Sequence, residues 1–250
     1  DLFCNGVGKS GVTAGSMVLW NRESGWVADQ EIAPAQVDGI MASLWGDVDG
    51  NGWPDVFLCR EGANQLWLQN EGQWSRDTAI ESVDDGVSRT VDGAMFDADH
   101  DGDLDIFAVN ADAPNILLNN NRDGTWRQIG EEEGLPSPDR DSREVLVADL
   151  DNDRDLDLIV INSEAPHEVY VNDRLWRYRA AEGFDPFINA SIAAAVAGDV
   201  DADGQVELVS VSKGMGITVW SNEGGWMGRS MKKPLDDFQG TAYQGQAQHQ

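Results

Sequence analysis

Short apolar runs punctuate the chain from end to end. In the stretch 36–85 they fall at 40–45, 55–59, 66–69 and 73–77, rich in Val, Ile, Leu, Phe and Trp and separated by Gly, Asn and Asp. Brief runs bounded by turn formers predict β-strands joined by tight turns. No segment carries a convincing helical period. The Ala-rich stretch 190–197 comes nearest, and its place in the pattern predicts a strand. The fold class expected is all-β.

The pattern repeats. Four Asp-rich segments align, beginning at Asp47, Asp97, Asp149 and Asp199, which lie 50, 52 and 50 residues apart. Each runs into an apolar strand. A second marker has the same period: an apolar strand ending in Asn, a short turn, then Trp. The pairs are Asn21 and Trp26, Asn70 and Trp74, Asn119 and Trp126, Asn172 and Trp176, and Asn222 and Trp226. Residues 1–4 match 55–58, so the sequence opens inside a repeat. Four short strands in a unit of about fifty residues predict the blade of a β-propeller, here with five four-stranded antiparallel units. Their bounds are approximately 1–35, 36–85, 86–137, 138–187 and 188–237, within a single domain spanning 1–250. The tail 238–250 is placed to supply the missing first strand of the opening blade. The Trp series is expected to anchor packing between blades.

Charge narrows the partners. The chain has 45 acidic and 17 basic residues, a formal net charge of -28. Nucleic acid and anionic membrane carry like charge and are disfavoured. No apolar run approaches the length of a transmembrane helix, and the first residues do not read as a signal peptide. Cys4 and Cys59 do not make a disulfide scaffold. They fall one residue out of phase in equivalent units, and residues one apart on a strand face opposite sides, which argues against a bridge.

The acids are not spread evenly, and their spacing carries chemistry. Oxygen ligands at positions 1, 3, 5 and 9 of a tight loop surround a hard cation, with a glycine at position 6 allowing a left-handed turn. The four loops offer Asp47, Asp49, Asn51 and Asp55; Asp97, Asp99, Asp101 and Asp105; Asp149, Asp151, Asp153 and Asp157; and Asp199, Asp201, Asp203 and Glu207. Oxygen-only ligand sets favour calcium over zinc or copper, giving up to four Ca2+ sites. Four ions at +2 each would take the formal charge from -28 to -20. An EF-hand is a poor fit, since strands flank every loop and position 12 of the first is Leu58. Arg154 stands where Gly is expected, Glu207 is longer than Asp, and the tail offers only Gln246, Gln248 and Gln250.

These loops resemble the FG-GAP/VCBS repeats of integrin-α-like propellers, whose calcium motif is Asp-x-Asp-x-Asp/Asn-Gly-x-x-Asp. The apolar stretches Asp-Leu-Asp-Ile-Phe and Leu-Leu-Asn-Asn are similar to the bacterial and cartilage-acidic-protein branch. The resemblance implies secreted or cell-surface proteins for adhesion and for carbohydrate or protein recognition. It also implies seven units where five are found here, which leaves a part of a larger ring as the alternative to a closed one.

The calcium ions are expected to be structural. Topology puts the Asp-rich loops and the turns between third and fourth strands on one face. The segments 5–15, 60–64, 80–89, 110–115, 131–143 and 162–168 open on the other, and there a protein or glycan partner is expected. Trp53 is a loop aromatic on the metal face, with packing its expected role. No His pairs with a Ser or Cys nucleophile in a recognisable motif, and there is no phosphate loop, so no catalytic residue is assigned. A purely structural repeat module and a propeller domain of a polysaccharide lyase or dehydratase are the alternatives. Asn189-Ala190-Ser191 matches a glycosylation acceptor.

Overall fold

The structure, a computed structural model, describes residues 2–4, 16–29, 31–83, 86, 88–130, 135, 138, 140–174, 177–214, 216–222 and 226–231. Among them the chain builds five antiparallel sheets in sequence order. The first holds three strands, β1 (Leu2–Cys4), β2 (Met17–Arg22) and β3 (Gly25–Asp29). The second holds β4 (Ile40–Gly46), β5 (Asp55–Arg60), β6 (Gln65–Asn70) and β7 (Gln73–Asp77). The third holds β8 (Thr90–Phe96), β9 (Asp105–Asn110), β10 (Ile116–Asn120) and β11 (Trp126–Ile129). The fourth holds β12 (Ser142–Ala148), β13 (Asp157–Asn162), β14 (Glu168–Asn172) and β15 (Tyr178–Ala180). The fifth holds β16 (Ala194–Gly198), β17 (Glu207–Val211), β18 (Ile217–Asn222) and β19 (Trp226–Met231). The first sheet opens at a second strand, as the repeat register requires. The tail 238–250 and Trp176 lie outside the described residues.

The second strands β5, β9 and β13 are buried on both faces, which is why they read as unbroken apolar runs. Phe57 and Cys59 join Ile106, Ala108 and Trp126 in one core, between the second and third sheets. Phe107 and Val109 turn the other way, toward Leu158, Val160 and Tyr178 of the fourth. Ile159 and Ile161 meet Leu208 and Trp220 of the fifth. First strands β4, β8, β12 and β16 contact one another in succession, so the sheets stand face to face around a shared line. The arrangement is propeller-like. At Gly93 on β8, a Cβ would lie 2.6 Å from the Phe107 carbonyl and 2.9 Å from Leu44 of the neighbouring sheet. No side chain fits there.

The expected strand at 190–197 begins only at Ala194. A single helical turn, Asp185–Ile188, precedes it and buries Phe187, while Ile192 joins the same core. The Asn and Trp markers also shift. Register pairs Asn21 with Trp26, Gln69 with Trp74, Asn120 with Trp126, Asn172 with Tyr178 and Asn222 with Trp226. β6 ends in Asn70 as expected, β10 runs one residue past Asn119 to Asn120, and the residues opposite Trp74, Trp126 and Tyr178 are Gln69, Asn120 and Asn172. Trp126 and Tyr178 pack against the preceding sheet. Trp26, on the first sheet, is 60% exposed.

Polar bridges bind the sheets at both ends. Asn120 Nδ2 donates to the Val48 carbonyl at 2.7 Å, and Asn172 Nδ2 to the Ala98 carbonyl at 2.9 Å, each reaching the preceding repeat. At the opposite end, Asn64 accepts the Arg60 N–H and donates to Thr90 Oγ1, which donates to Asn110 Oδ1. Asn115 accepts the Asn110 N–H and donates to Ser142 Oγ, which donates to Asn162 Oδ1. In the next step His167 replaces Asn. Its Nδ1 accepts the Asn162 N–H at 3.1 Å and its Nε2–H donates to the Ala190 carbonyl at 3.0 Å. This geometry requires the neutral imidazole, and burial lowers its pKa.

Two outcomes are expected. Asn172→Ala leaves the buried Ala98 carbonyl without this donor and should cost about 1–3 kcal/mol in urea unfolding. His167 is neutral in the fold, whereas in the unfolded chain it takes up a proton below about pH 6.5. Stability from His167 is therefore complete above that pH and lost as pH falls below it. His167→Asn, copying Asn64 and Asn115, should keep the ladder and show a smaller drop in urea midpoint between pH 7.5 and 5 than the parent.

Candidate metal centres

Each Asp-rich loop joins the first and second strands of a sheet, and its backbone winds around its own carboxylates. At position 1, Asp47 accepts the N–H groups of Asn51 and Gly52, at 3.0 and 2.8 Å. Asp149 and Asp199 accept the N–H groups of positions 5 and 6 in the same way, and Asp97 accepts that of Gly102. The position 5 side chains Asn51, Asp101, Asp153 and Asp203 each accept the N–H of position 7. Such winding requires positive φ at position 6, found at Gly52, Gly102 and Gly204 and, at +78°, at Arg154. Position 4 is left-handed as well, at Gly50, His100, Asn152 and Ala202.

Position 9 closes each loop. Asp55 Oδ2 accepts the Val48 N–H at 2.9 Å and its Oδ1 the Gln69 N–H at 2.8 Å. Asp105 accepts from Ala98 and Asn120, and Asp157 from Leu150 and Asn172, with the same atoms. In the fourth loop the longer Glu207 reaches the equivalent Val200 N–H at 2.9 Å. All four acids are buried. Burial pushes Asp55 up to about 6 and Asp105 and Asp157 up to about 7, with neighbouring loop carboxylates adding to the rise and the backbone N–H groups opposing it.

Carboxylate oxygens converge within 4.8 Å of one another in four triads. These are Asp47, Asp49 and Asp55; Asp97, Asp99 and Asp101; Asp149, Asp151 and Asp157; and Asp199, Asp201 and Asp203. Of the sixteen residues expected from the spacing, twelve stand in triads. Asp105 and Glu207 act as loop closures, Asp153 caps position 7, and Asn51 donates through Nδ2 to Asp49 Oδ2 and the Gln69 carbonyl. Asp97 Oδ1 is buried without a hydrogen-bond partner. Crowded oxygens, a raised position 9 acid and an unpartnered buried oxygen together fit a hard divalent cation.

Sequence spacing did not single out position 7. Asp103 and Asp155 occupy it in the second and third loops, with Arg122 and Arg174 Nε at 3.6 Å. The available signal was co-occurrence: each Arg follows a bridging Asn by two residues in the same unit as its Asp. Trp53 holds position 7 of the first loop, where it is 42% exposed rather than packed. The segments 80–89 and 131–143 are described only in part.

Comparison with known proteins agrees with this repeat. The model of the FG-GAP-like repeat family matches residues 47–108, 97–160 and 149–210. Cartilage acidic protein 1 of Xenopus tropicalis is 28% identical over 212 residues, covering 78% of this chain and 30% of that protein. Its Homo sapiens counterpart is 34% identical over 67 residues, 27% of this chain and 10% of that protein. The chain thus spans less than a third of the length of these relatives. Among solved structures, a lectin of Agrocybe aegerita, described for specific recognition of non-reducing terminal N-acetylglucosamine, superposes with a TM-score of 0.54 at 18% identity. It covers 88% of this chain and 60% of the lectin. That likeness is one of fold.

The loop geometry predicts opposite effects at two positions. Asp105→Ala removes the acceptor of two buried N–H groups and should destabilise by about 2–4 kcal/mol. Arg154→Gly relieves a left-handed conformation unsuited to a side chain and should stabilise by about 1 kcal/mol. Chemical denaturation of both variants, in chelator, checks the pair.

Proposed function

Because the chain belongs to the FG-GAP-like repeat family, we propose that it is a calcium-stapled extracellular recognition module, its repeats forming one propeller domain. The recurrence of a carboxylate triad in four successive repeats carries this reading. The sixteen loop residues supply the oxygen environment, and calcium, when bound, neutralises their mutual repulsion. Asp55, Asp105, Asp157 and Glu207 hold each loop closed around it. Extracellular calcium is millimolar, so even weak sites fill there.

The partner is a protein or a glycan, bound on the face opposite the Asp-rich loops. There the connections at 60–64, 110–115 and 162–168 sit on the Asn/His ladder, so a rigid scaffold presents variable loops. The lectin neighbour makes glycans the first class to test. Among the described residues no helix is long and apolar enough to cross a membrane. The reading assigns no catalytic residue. Asp92 and Glu144, half-buried acids on first strands, accept the Val145 and Ala195 N–H groups and thereby join neighbouring sheets. Ring closure by the tail 238–250 belongs to the same proposal.

Thermal unfolding in millimolar calcium and in excess chelator tests the metal. Each site filled at a hundredfold excess over its dissociation constant adds ~3 kcal/mol. A large calcium-dependent rise in Tm is expected, reduced in the double variant Asp97→Ala/Asp101→Ala. No difference between the two conditions would overturn the calcium reading. For the partner, binding on a glycan array should be lost when 111–114 is replaced by Gly/Ser and kept in Trp53→Ala. The reverse result would move the partner to the loop face.

A further inference from the structure

The internal repeat exposes a difference between two neighbouring loop junctions. Where the second loop meets the third, His100 at position 4 reaches Asp155 at position 7 of the next loop. Its Nε2 lies 2.6 Å from Asp155 Oδ1. Arg174 stands 3.6 Å from the other oxygen, Oδ2. The Asp155 side chain, only 3% exposed, is thereby flanked on both sides.

The junction of the first and second loops has the same plan with one part changed. Asp103 is the position 7 acid, its side chain 11% exposed, and Arg122 Nε again lies 3.6 Å from Oδ2. Position 4 of the preceding loop is Gly50. A Cβ built there meets nothing within 4 Å. Both Asp103 oxygens are buried and neither has a hydrogen-bond partner. In place of an imidazole there is a cavity of about 310 Å3, lined by Asp47, Asp49, Asp77, Asp103, Arg122 and Trp126 among others. Among the described residues, that lining holds one basic residue, Arg122, against four acids. Asp77 is already occupied, accepting the Ala79 N–H and the Trp126 indole N–H. Asp103 is the lining acid outside the first metal loop that still lacks a donor.

We propose that this inter-loop cavity is a binding site for a basic, N–H-donating side chain of a partner protein, which completes Asp103 as His100 completes Asp155. A carboxylate held away from water is stabilised by a charge-assisted donor, and with Asp47 and Asp49 facing the first metal centre and Asp77 capped, Asp103 is the acid that favours a cationic one. Gly50 admits the group from outside, whereas His100 fills the next junction from within. The site lies on the Asp-loop face and does not depend on which partner occupies the opposite one.

The probe is N-acetyl-arginine amide, whose guanidinium is charged at every working pH, added to the full chain in millimolar calcium. N-acetylglucosamine serves as the control for a sugar pocket. NMR should show saturable shifts at Gly50, Asp103 and the Trp126 indole N–H with the arginine probe and none with the sugar. Gly50→His should abolish these shifts by filling the cavity, and Asp103→Asn should weaken binding at least tenfold. Undiminished binding in Gly50→His, or a response to the sugar alone, would overturn the proposal. Should Asp103→Asn fail to fold, Gly50→His still decides it. Loss of calcium stabilisation with intact probe binding would instead count against the calcium reading alone.

Discussion

A buried acid at the end of each Asp-rich loop governs the architecture. Asp55, Asp105 and Asp157 each accept two backbone N–H groups, one from the loop's own second residue and one from the third strand. One carboxylate therefore joins loop, second strand and third strand. Ionised acids in low dielectric need donors or cations around them. The backbone supplies two donors, and the neighbouring Asp residues raise the demand for a cation. The same group thus ties the loop to two strands and feels the charge of the neighbouring loop carboxylates.

The loop's second residue carries that constraint onward. Val48 donates its N–H to Asp55 while its carbonyl accepts from Asn120 of the next sheet. Ala98 does the same between Asp105 and Asn172. At the other end, hydroxyl and amide groups of Asn64, Thr90, Asn110, Asn115, Ser142 and Asn162 form a second set of ties. Between these polar ends lie apolar cores to which β5, β9 and β13 contribute alternate residues. Buried hydrogen bonds of this kind fix relative orientation more sharply than apolar packing alone. Both sets of loops are consequently held by the scaffold, which is what a recognition surface requires.

The repeats are not interchangeable within this frame. Arg154 adopts the left-handed backbone that glycine adopts at the same position of the other loops. Glu207 reaches across its extra methylene to the N–H that Asp reaches elsewhere. His100 and Gly50 occupy one structural place, the first filling a junction and the second leaving a cavity. Variation between the repeats thus either keeps a common hydrogen bond through a different side chain, as at Glu207, or falls where that bond is made by backbone, as at Arg154.

Periodicity was enough to establish much of this. Strand positions, the four-stranded unit, the opening inside a repeat and the loop acids all follow from local spacing, because tight turns and alternating burial are short-range demands on residue type. Spacing could not show that the position 9 acid both closes its loop and joins the triad at Asp55 and Asp157 but only closes it at Asp105 and Glu207, since all four stand at the same interval. It ended the third strand correctly at Asn70 but one residue early at Asn119, because the end of β10 at Asn120 is set by pairing with the neighbouring strand. The link from His100 to Asp155, 55 residues on, and the open junction at Gly50 belong to the packing of one sheet on the next. Sequence by itself determined what each repeat is made of; only the tertiary structure decided which groups meet across repeats, because those contacts depend on register and on the orientation of whole sheets.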